Sequence, residues 1–340
     1  MRDFFARTRV MPTPSPALRG LRARAAALLA ALTLSGWLLP ATAQSSGDCP
    51  TPPSMPTAEQ IAQAQREARD RGLLWRISRN GRSGFLYGTM HVGKVGWIAP
   101  GPKLREALSD SDTIALEIDP SDPLLQRQIA RASVQPAPAL PDELKRRLNV
   151  QRDAVCLQDS IFDRLHPVLQ LTTLGMMAAR REGLDATFGS EITLAGFGKA
   201  TGKRVVSLES VERQFAALIP PDLDAAELEA LLRSGLDQFE GDAIRRSTRR
   251  LANAWERGAI DDFEGYATWC GCIRNDADRR LMARLNDGRN PALADGIAAL
   301  HARGAKLFAA VGALHMTGEQ GLPKLLAQRG FAVERIAFTP

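Results

Sequence analysis

The sequence predicts an α/β fold, a central mixed sheet flanked by helices and a helical lobe, with its polar chemistry gathered at strand ends. Three observations carry that expectation. Short apolar, β-like runs alternate with stretches of helical periodicity. Two of those runs, Phe85-Leu86-Tyr87 and Leu307-Phe308-Ala309-Ala310-Val311, lead into the same pattern, Gly88-Thr89-Met90-His91 and Gly312-Ala313-Leu314-His315. Two further buried-looking runs, 113–118 and 203–208, carry a carboxylate at or just past their ends, Glu117 and Glu209. A glycine after a buried strand lets the chain turn sharply, so the next polar side chain lands at the carboxyl edge of the sheet, where ligands bind in open α/β folds. The chain has only four histidines, and two of them share this setting.

The first 43 residues read as a secretory signal. Arg19, Arg22 and Arg24 precede an apolar run over 25–39, and Ala41-Thr42-Ala43 offers a small-x-small cleavage site. The run is shorter than the roughly 20 apolar residues of a membrane span, so no stable span is expected after cleavage, and Met11 is an alternative start. The formal charge of +6 belongs mostly to this leader. Without it about 300 residues remain with a net charge of about +1, which removes the compositional case for nucleic-acid binding. A periplasmic or secreted location follows.

Residues 44–56, rich in Ser, Pro and Thr, read as a flexible linker, and 57–340 as the folded domain. A helix is expected over 57–71. Strands at 73–77 and 84–87 flank Asn80-Gly81, a strong hairpin signal. A short helix at 103–109 leads to the strand 113–118. Residues 121–181 form a helical insertion broken by Pro136, Pro138 and Pro141, in which Leu169, Leu174, Met176 and Met177 read as core. A helix over 186–201 precedes the strand 203–208. Residues 224–304 read as a helical lobe, and strands at 306–311 and 331–336 enclose a helix over 319–328.

All four cysteines, Cys49, Cys156, Cys270 and Cys272, follow the leader, and an even count in an oxidising compartment favours disulfides. The expected pairing is Cys156 with Cys270 or Cys272, leaving Cys49 for the remaining thiol or free. A Cys-x-Cys metal hook lacks further nearby ligands.

The chemistry concentrates on His91, Glu117, Glu209 and His315. A charged residue ending a buried run is costly unless paired or metal-bound. Imidazole plus carboxylate suits Mn, Co, Fe or Zn. A divalent metal on His91, Glu117 and His315 would keep open positions for water and a substrate carbonyl, with Glu209 as proton-shuttling base or further ligand. The structural alternative treats each histidine as a hydrogen-bonded scaffold residue and Glu209 as a helix cap. His166 and His301 read as structural.

Taken together, Leu86-Tyr87-Gly88-Thr89-Met90-His91, Leu116-Glu117, Ser207-Leu208-Glu209-Ser210, Gly288-Arg289-Asn290 and the 311–318 segment resemble the TraB/GumN family, over about residues 73 to 337. Its animal relatives, the Wnt-cleaving TIKI proteins, are membrane-tethered metal-dependent proteases with paired Gly-x-x-His motifs. The resemblance implies a Mn- or Co-type metallohydrolase on a core like those of erythromycin esterase and the haem-binding ChaN proteins. It points to His91, Glu117 and His315 as the centre of the site. Arg289 matches the family's Arg-Asn segment and suits a guanidinium that orients a carboxylate or stabilises an oxyanion. Its structural alternative is a helix-start ion pair, with Asn290 as N-cap ahead of Pro291; Asp185 likewise reads as an N-cap. Three readings stand: a metal-dependent hydrolase of a peptide or small carbonyl substrate, a metal-independent esterase-like hydrolase with a histidine base, and a haem or small-ligand binder without turnover.

Overall fold

The hairpin forms where Asn80-Gly81 calls for it. Strands β1 (Leu73–Arg79) and β2 (Arg82–Thr89) pair antiparallel, with Arg79 opposite Arg82. Both turn residues take positive φ, 53° and 71°, the conformation that matches strand twist and that Asn and Gly tolerate. The computed structural model describes residues 49–338. The leader 1–43 and residues 44–48 of the linker lie outside the described residues.

Four more strands complete a six-stranded mixed sheet: β3 (Thr113–Leu116), β4 (Arg204–Ser207), β5 (Leu307–Gly312) and β6 (Ala332–Ile336). The order is β4-β3-β5-β2-β1-β6. β4, β3, β5 and β2 run parallel, whereas β1 is antiparallel to both β2 and β6. The register sets Leu116 beside Ala310 and Ser207, and Gly88 beside Val311. The four parallel strands therefore end at one level, and the residues just beyond them share one edge.

Strand residues Leu73, Leu74, Ile77, Leu86, Ile114, Leu116 and Phe308 are fully buried in the main core. A second core joins helices of the 121–181 segment to those that follow β4, through Leu144, Leu148, Phe162, Leu174, Val211, Leu228 and Leu232. Leu174 is fully buried there and Leu169 packs against it, while Met176 and Met177 are only half-buried. Among the described residues no helix is long and apolar enough to cross a membrane.

Some boundaries differ from expectation for identifiable reasons. The first helix, Ala58–Arg66, stops short of Arg71 because the chain turns to spend Asp70 elsewhere. The carboxylate of Asp70 accepts from the backbone N–H groups of Lys103 (3.1 Å) and Leu104 (2.9 Å), capping the helix Pro102–Ser109 whose own N-cap, Gly101, has no side chain. The helix expected from 319 begins at Leu322, after Gly318 turns the chain at φ 83°.

The cysteine pairing is also corrected. Cys49 bonds Cys156, and Cys270 bonds Cys272. Gly271 between the latter pair adopts φ 64°, and the resulting turn brings their Cα atoms to 5.1 Å, within disulfide reach. Cys49 is consequently bonded, and no thiol among the described residues is free. His166 and His301 serve the scaffold: His166 Nδ1 accepts from the Val168 N–H at a helix start, and His301 Nε2 meets the Arg82 carbonyl at 3.2 Å while its ring packs edge-on against Phe331.

One long-range bond fixes the end of β2. The buried indole of Trp255, on the helix Ala243–Arg257, donates to the Gly88 carbonyl at 2.9 Å. Trp255→Phe keeps most of the bulk but strands that carbonyl. It should lower stability by about 1–2 kcal/mol in urea unfolding, with an unchanged far-ultraviolet dichroism spectrum.

Candidate functional site

His91 lies two residues past the end of β2, on a segment clamped by the helix Ser190–Ala200. The Ser190 hydroxyl accepts from the Met90 N–H (2.7 Å), and the Ser190 N–H donates to the Met90 carbonyl (3.0 Å). The next residue, Glu191, meets His91 Nδ1 at 2.8 Å and accepts from the Thr89 hydroxyl at 2.6 Å. Its place in the first turn of a helix favours its negative charge. Glu191 in turn raises the pKa of His91. The His91 ring itself is 68% exposed, with Nδ1 held and Nε2 turned toward the sheet edge.

His315 sits in a short turn, Ala313–Met316, directly after β5, and is buried. Its Nδ1 lies 2.5 Å from Asn290 Oδ1. The Asn290 amide is oriented independently, because its Nδ2 donates to the carbonyls of His315 (3.4 Å) and Gln320 (2.7 Å). Oδ1 therefore faces the imidazole as an acceptor, which assigns the proton to Nδ1 and makes Nε2 the acceptor, facing Arg289 Nη1 at 3.4 Å. Burial lowers the His315 pKa to about 4, despite the attraction of Glu117.

Between them stand two buried carboxylates. Glu117 follows β3 and accepts the Gly312 N–H at Oε1 (2.7 Å). Glu209 follows β4 and is not the helix cap; Ser210 performs that task, accepting from the Arg213 N–H. Both accept from Arg289 Nη2, and Glu209 also accepts from Arg289 Nε at 3.2 Å. Arg289 Nη1 points at the Leu285 carbonyl (3.2 Å) and His315 Nε2 (3.4 Å). Gln214 Nε2 reaches Glu117 and Glu209 at 3.4 and 3.5 Å.

The two carboxylates titrate in opposite directions. Burial opposes ionisation of Glu117, but His315, Arg289 and the Gly312 N–H outweigh it and hold the carboxyl at about 2. For Glu209 burial outweighs the help of Arg289 and pushes the pKa up. Two carboxyls driven apart by their surroundings are the usual mark of divided acid and base roles.

The edge also has room. A Cβ placed on Gly312 would lie 3.2 Å from Glu117 Oε1, 3.5 Å from His315 Cδ2 and 3.9 Å from His91 Nε2. The missing side chain leaves a small space that these three groups border. Both imidazoles are anchored through Nδ1, as metal-ligating histidines are; His91 Nε2 and a carboxylate oxygen border this space, and His315 Nε2 lies 3.4 Å from Arg289 Nη1 and 4.0 Å from Glu117 Oε1. The donor chemistry therefore fits a divalent transition metal. The carboxylates are at present committed to Arg289, and among the described residues no three His, Cys, Asp or Glu side chains form a ready cage.

The sheet edge thus gathers His91, Glu117, Glu209, Arg289 and His315. A model of the TraB/PrgY/gumN family matches residues 73–335, which include all five. The chain belongs to that family. It is similar to the uncharacterised protein YbaP of Shigella flexneri, 26% identical over 259 residues, covering 72% of this chain and 88% of the relative. YbaP of Escherichia coli K12 is likewise 26% identical over 255 residues, covering 71% and 86%. No solved structure matches the chain at a significant level.

Sequence reasoning missed Glu191, Gln214 and the task of Asn290. Asn290 is the first residue of the helix Asn290–Ala302 and not its N-cap; Arg289 holds the cap position, and the Asn290 amide is spent on His315. Glu191 reads locally as an ordinary first-turn acid. Only its partners about one hundred residues away reveal more. Asp185 caps as expected, accepting from the Thr187 N–H and pairing with Arg180.

Arg289→Met removes the cation between two buried carboxylates. Stability at neutral pH should fall by about 3–5 kcal/mol, and Glu209→Gln added to that variant should restore part of the loss, both read from urea unfolding. An unchanged midpoint in the single variant contradicts the proposed charge balance.

Proposed function

We propose that this chain is an exported, metal-dependent hydrolase, peptidase-like in chemistry, acting on a peptide or small carbonyl-containing substrate at the sheet edge. The observation that supports the reading is the matched anchoring of His91 and His315 through Nδ1 around Glu117: His91 Nε2 borders the space over Gly312, and His315 Nε2 lies 4.0 Å from Glu117 Oε1. These three residues would hold Mn or Co, with Zn or Fe as further fits to an imidazole–carboxylate set. When bound, the metal supplies a low-pKa water and polarises the substrate carbonyl.

The chain's own groups divide the remaining work. Glu191 and Asn290 keep the two imidazoles from rotating. Glu209, whose burial raises its proton affinity, accepts a proton at its carboxylate and returns it to a leaving group. Arg289, beside His315 Nε2 and both carboxylates, stabilises negative charge developing on a substrate oxygen. His91, open to solvent, marks the side from which substrate enters. The arginine-rich leader with its small-residue cleavage site supports export to the periplasm or beyond.

A second reading is a metal-independent hydrolase, with His315 Nε2 as base and Arg289 as oxyanion partner. It is favoured by the commitment of both carboxylates to Arg289. Metal analysis of the purified mature protein, joined to cleavage of a peptide library with and without Mn or Co, separates the two. The metal reading expects His91→Ala and His315→Ala to lose bound metal and turnover together while circular dichroism is preserved. Asn290→Ala should weaken metal binding by about 10–100-fold. Turnover that persists in metal-free protein sinks the metal reading and supports the second.

A further inference from the structure

A large cavity lies away from the cluster of histidines. It has a volume of about 840 Å³, in the range of sites for drug-sized molecules. It lies between the helices Pro102–Ser109 and Ser190–Ala200, and its wall includes Tyr87, Trp97, Leu104, Leu108, Leu194 and Trp255. All six are buried in the main core and form an apolar floor, while Ile61, Gln65, Gly196 and Ala200, which also line the cavity, are exposed and leave it open to solvent on one side.

Its charge is one-sided. Three arginines line it, Arg69, Arg71 and Arg105, and no Asp or Glu does. Arg69 and Arg105 are exposed at the rim, whereas Arg71 is only 9% exposed. The Arg71 Nε is buried without a hydrogen-bond partner. Its Nη1 donates to the Arg69 carbonyl at 3.2 Å, and the nearest carboxylate oxygen, on Glu256, is 3.9 Å from Nε. Glu256 spends its oxygens on Trp97 Nε1 (2.9 Å) and Lys94 (3.1 Å). A buried guanidinium with an unused donor is costly. A carboxylate in the cavity would offset the charge of Arg71, which Glu256 meets only at 3.9 Å, because a carboxylate pairs with the planar fork of an arginine.

We propose that this cavity binds a single-chain amphiphile with a carboxylate head, its hydrocarbon tail along the apolar wall and its head at Arg71. A neutral lipid would satisfy the wall and leave the three arginines without a counter-charge inside the cavity. A small hydrophilic anion would meet Arg71 and leave the wall empty. Only the combination answers both features. His91, Glu117 and His315 take no part in lining the cavity, so the site stands independently of the hydrolase reading. It reaches toward that site at one point, since Ser190 lines the cavity and also clamps the segment that carries His91.

Equilibrium binding of palmitate and of hexadecanol to the mature protein, each below its aggregation limit, tests this. The expected result is saturable, one-to-one binding of palmitate, at least about tenfold tighter than hexadecanol. Arg71→Met should erase that preference by bringing palmitate to the level of the alcohol. Leu194→Trp, which fills the cavity, should abolish binding of both. Hydrogen exchange on the unmutated protein gives a readout that does not depend on how the variants fold: palmitate should protect the helices Pro102–Ser109 and Ser190–Ala200. Absence of saturable palmitate binding, an undiminished preference in Arg71→Met, or protection confined to other helices would each overturn the proposal.

Discussion

The site rests on one guanidinium. Adjacent parallel strands end in carboxylates, and two such charges in the interior repel each other while both lose water. Arg289 joins them, with its Nη2 shared between Glu117 and Glu209 and its Nε on Glu209. It does so from the N-cap position of a helix, where a cation is disfavoured by the backbone dipole. The two carboxylates offset that penalty. Because Asn290 follows directly and orients His315, the same helix start governs both the charge balance of the edge and the direction of its buried imidazole.

The two histidines are matched in anchoring and opposed in environment. His91 leans on a carboxylate and is largely open to solvent, while His315 leans on an amide and is enclosed. A carboxylate partner favours the protonated ring, and an amide partner in a dry pocket favours the neutral one. The chain thus presents two chemically different imidazoles from two copies of one local pattern. That difference arises from the helices behind the strands, since the Gly-x-x-His segments are alike.

Much of the framework is legible from local signals. The apolar runs give the strands, Asn80-Gly81 gives the hairpin, and a polar residue after each buried run marks the carboxyl edge. The four residues picked out that way, His91, Glu117, Glu209 and His315, come together because parallel strands in register end at one level, and Arg289 joins them from a helix start. What stays hidden is whatever depends on distant partners. Asn290 before Pro291 looks like a cap, and only the position of His315 shows otherwise. Glu191 carries no local mark beyond its place in a helix start. The cysteine pairing fails for the same reason: Cys270 and Cys272 are joined by a glycine turn, and Cys49 reaches Cys156 through a fold that spacing does not encode.

The adjacency of β2 and β5 has a consequence in time. These strands are neighbours in the sheet, yet one lies near the start of the folded region and the other near its end. Contacts so far apart in the chain form late, because loop closure must precede their reward. Until the closing segment arrives, β2 offers an open edge, Glu117 lacks the Gly312 N–H, and His91 has no counterpart. A chain that ends before β5 holds Arg289 and the two carboxylates it joins, and lacks both the Gly312 N–H that Glu117 accepts and the second imidazole. The pairing of the two histidines at one edge is therefore among the last features of the sheet to be assembled.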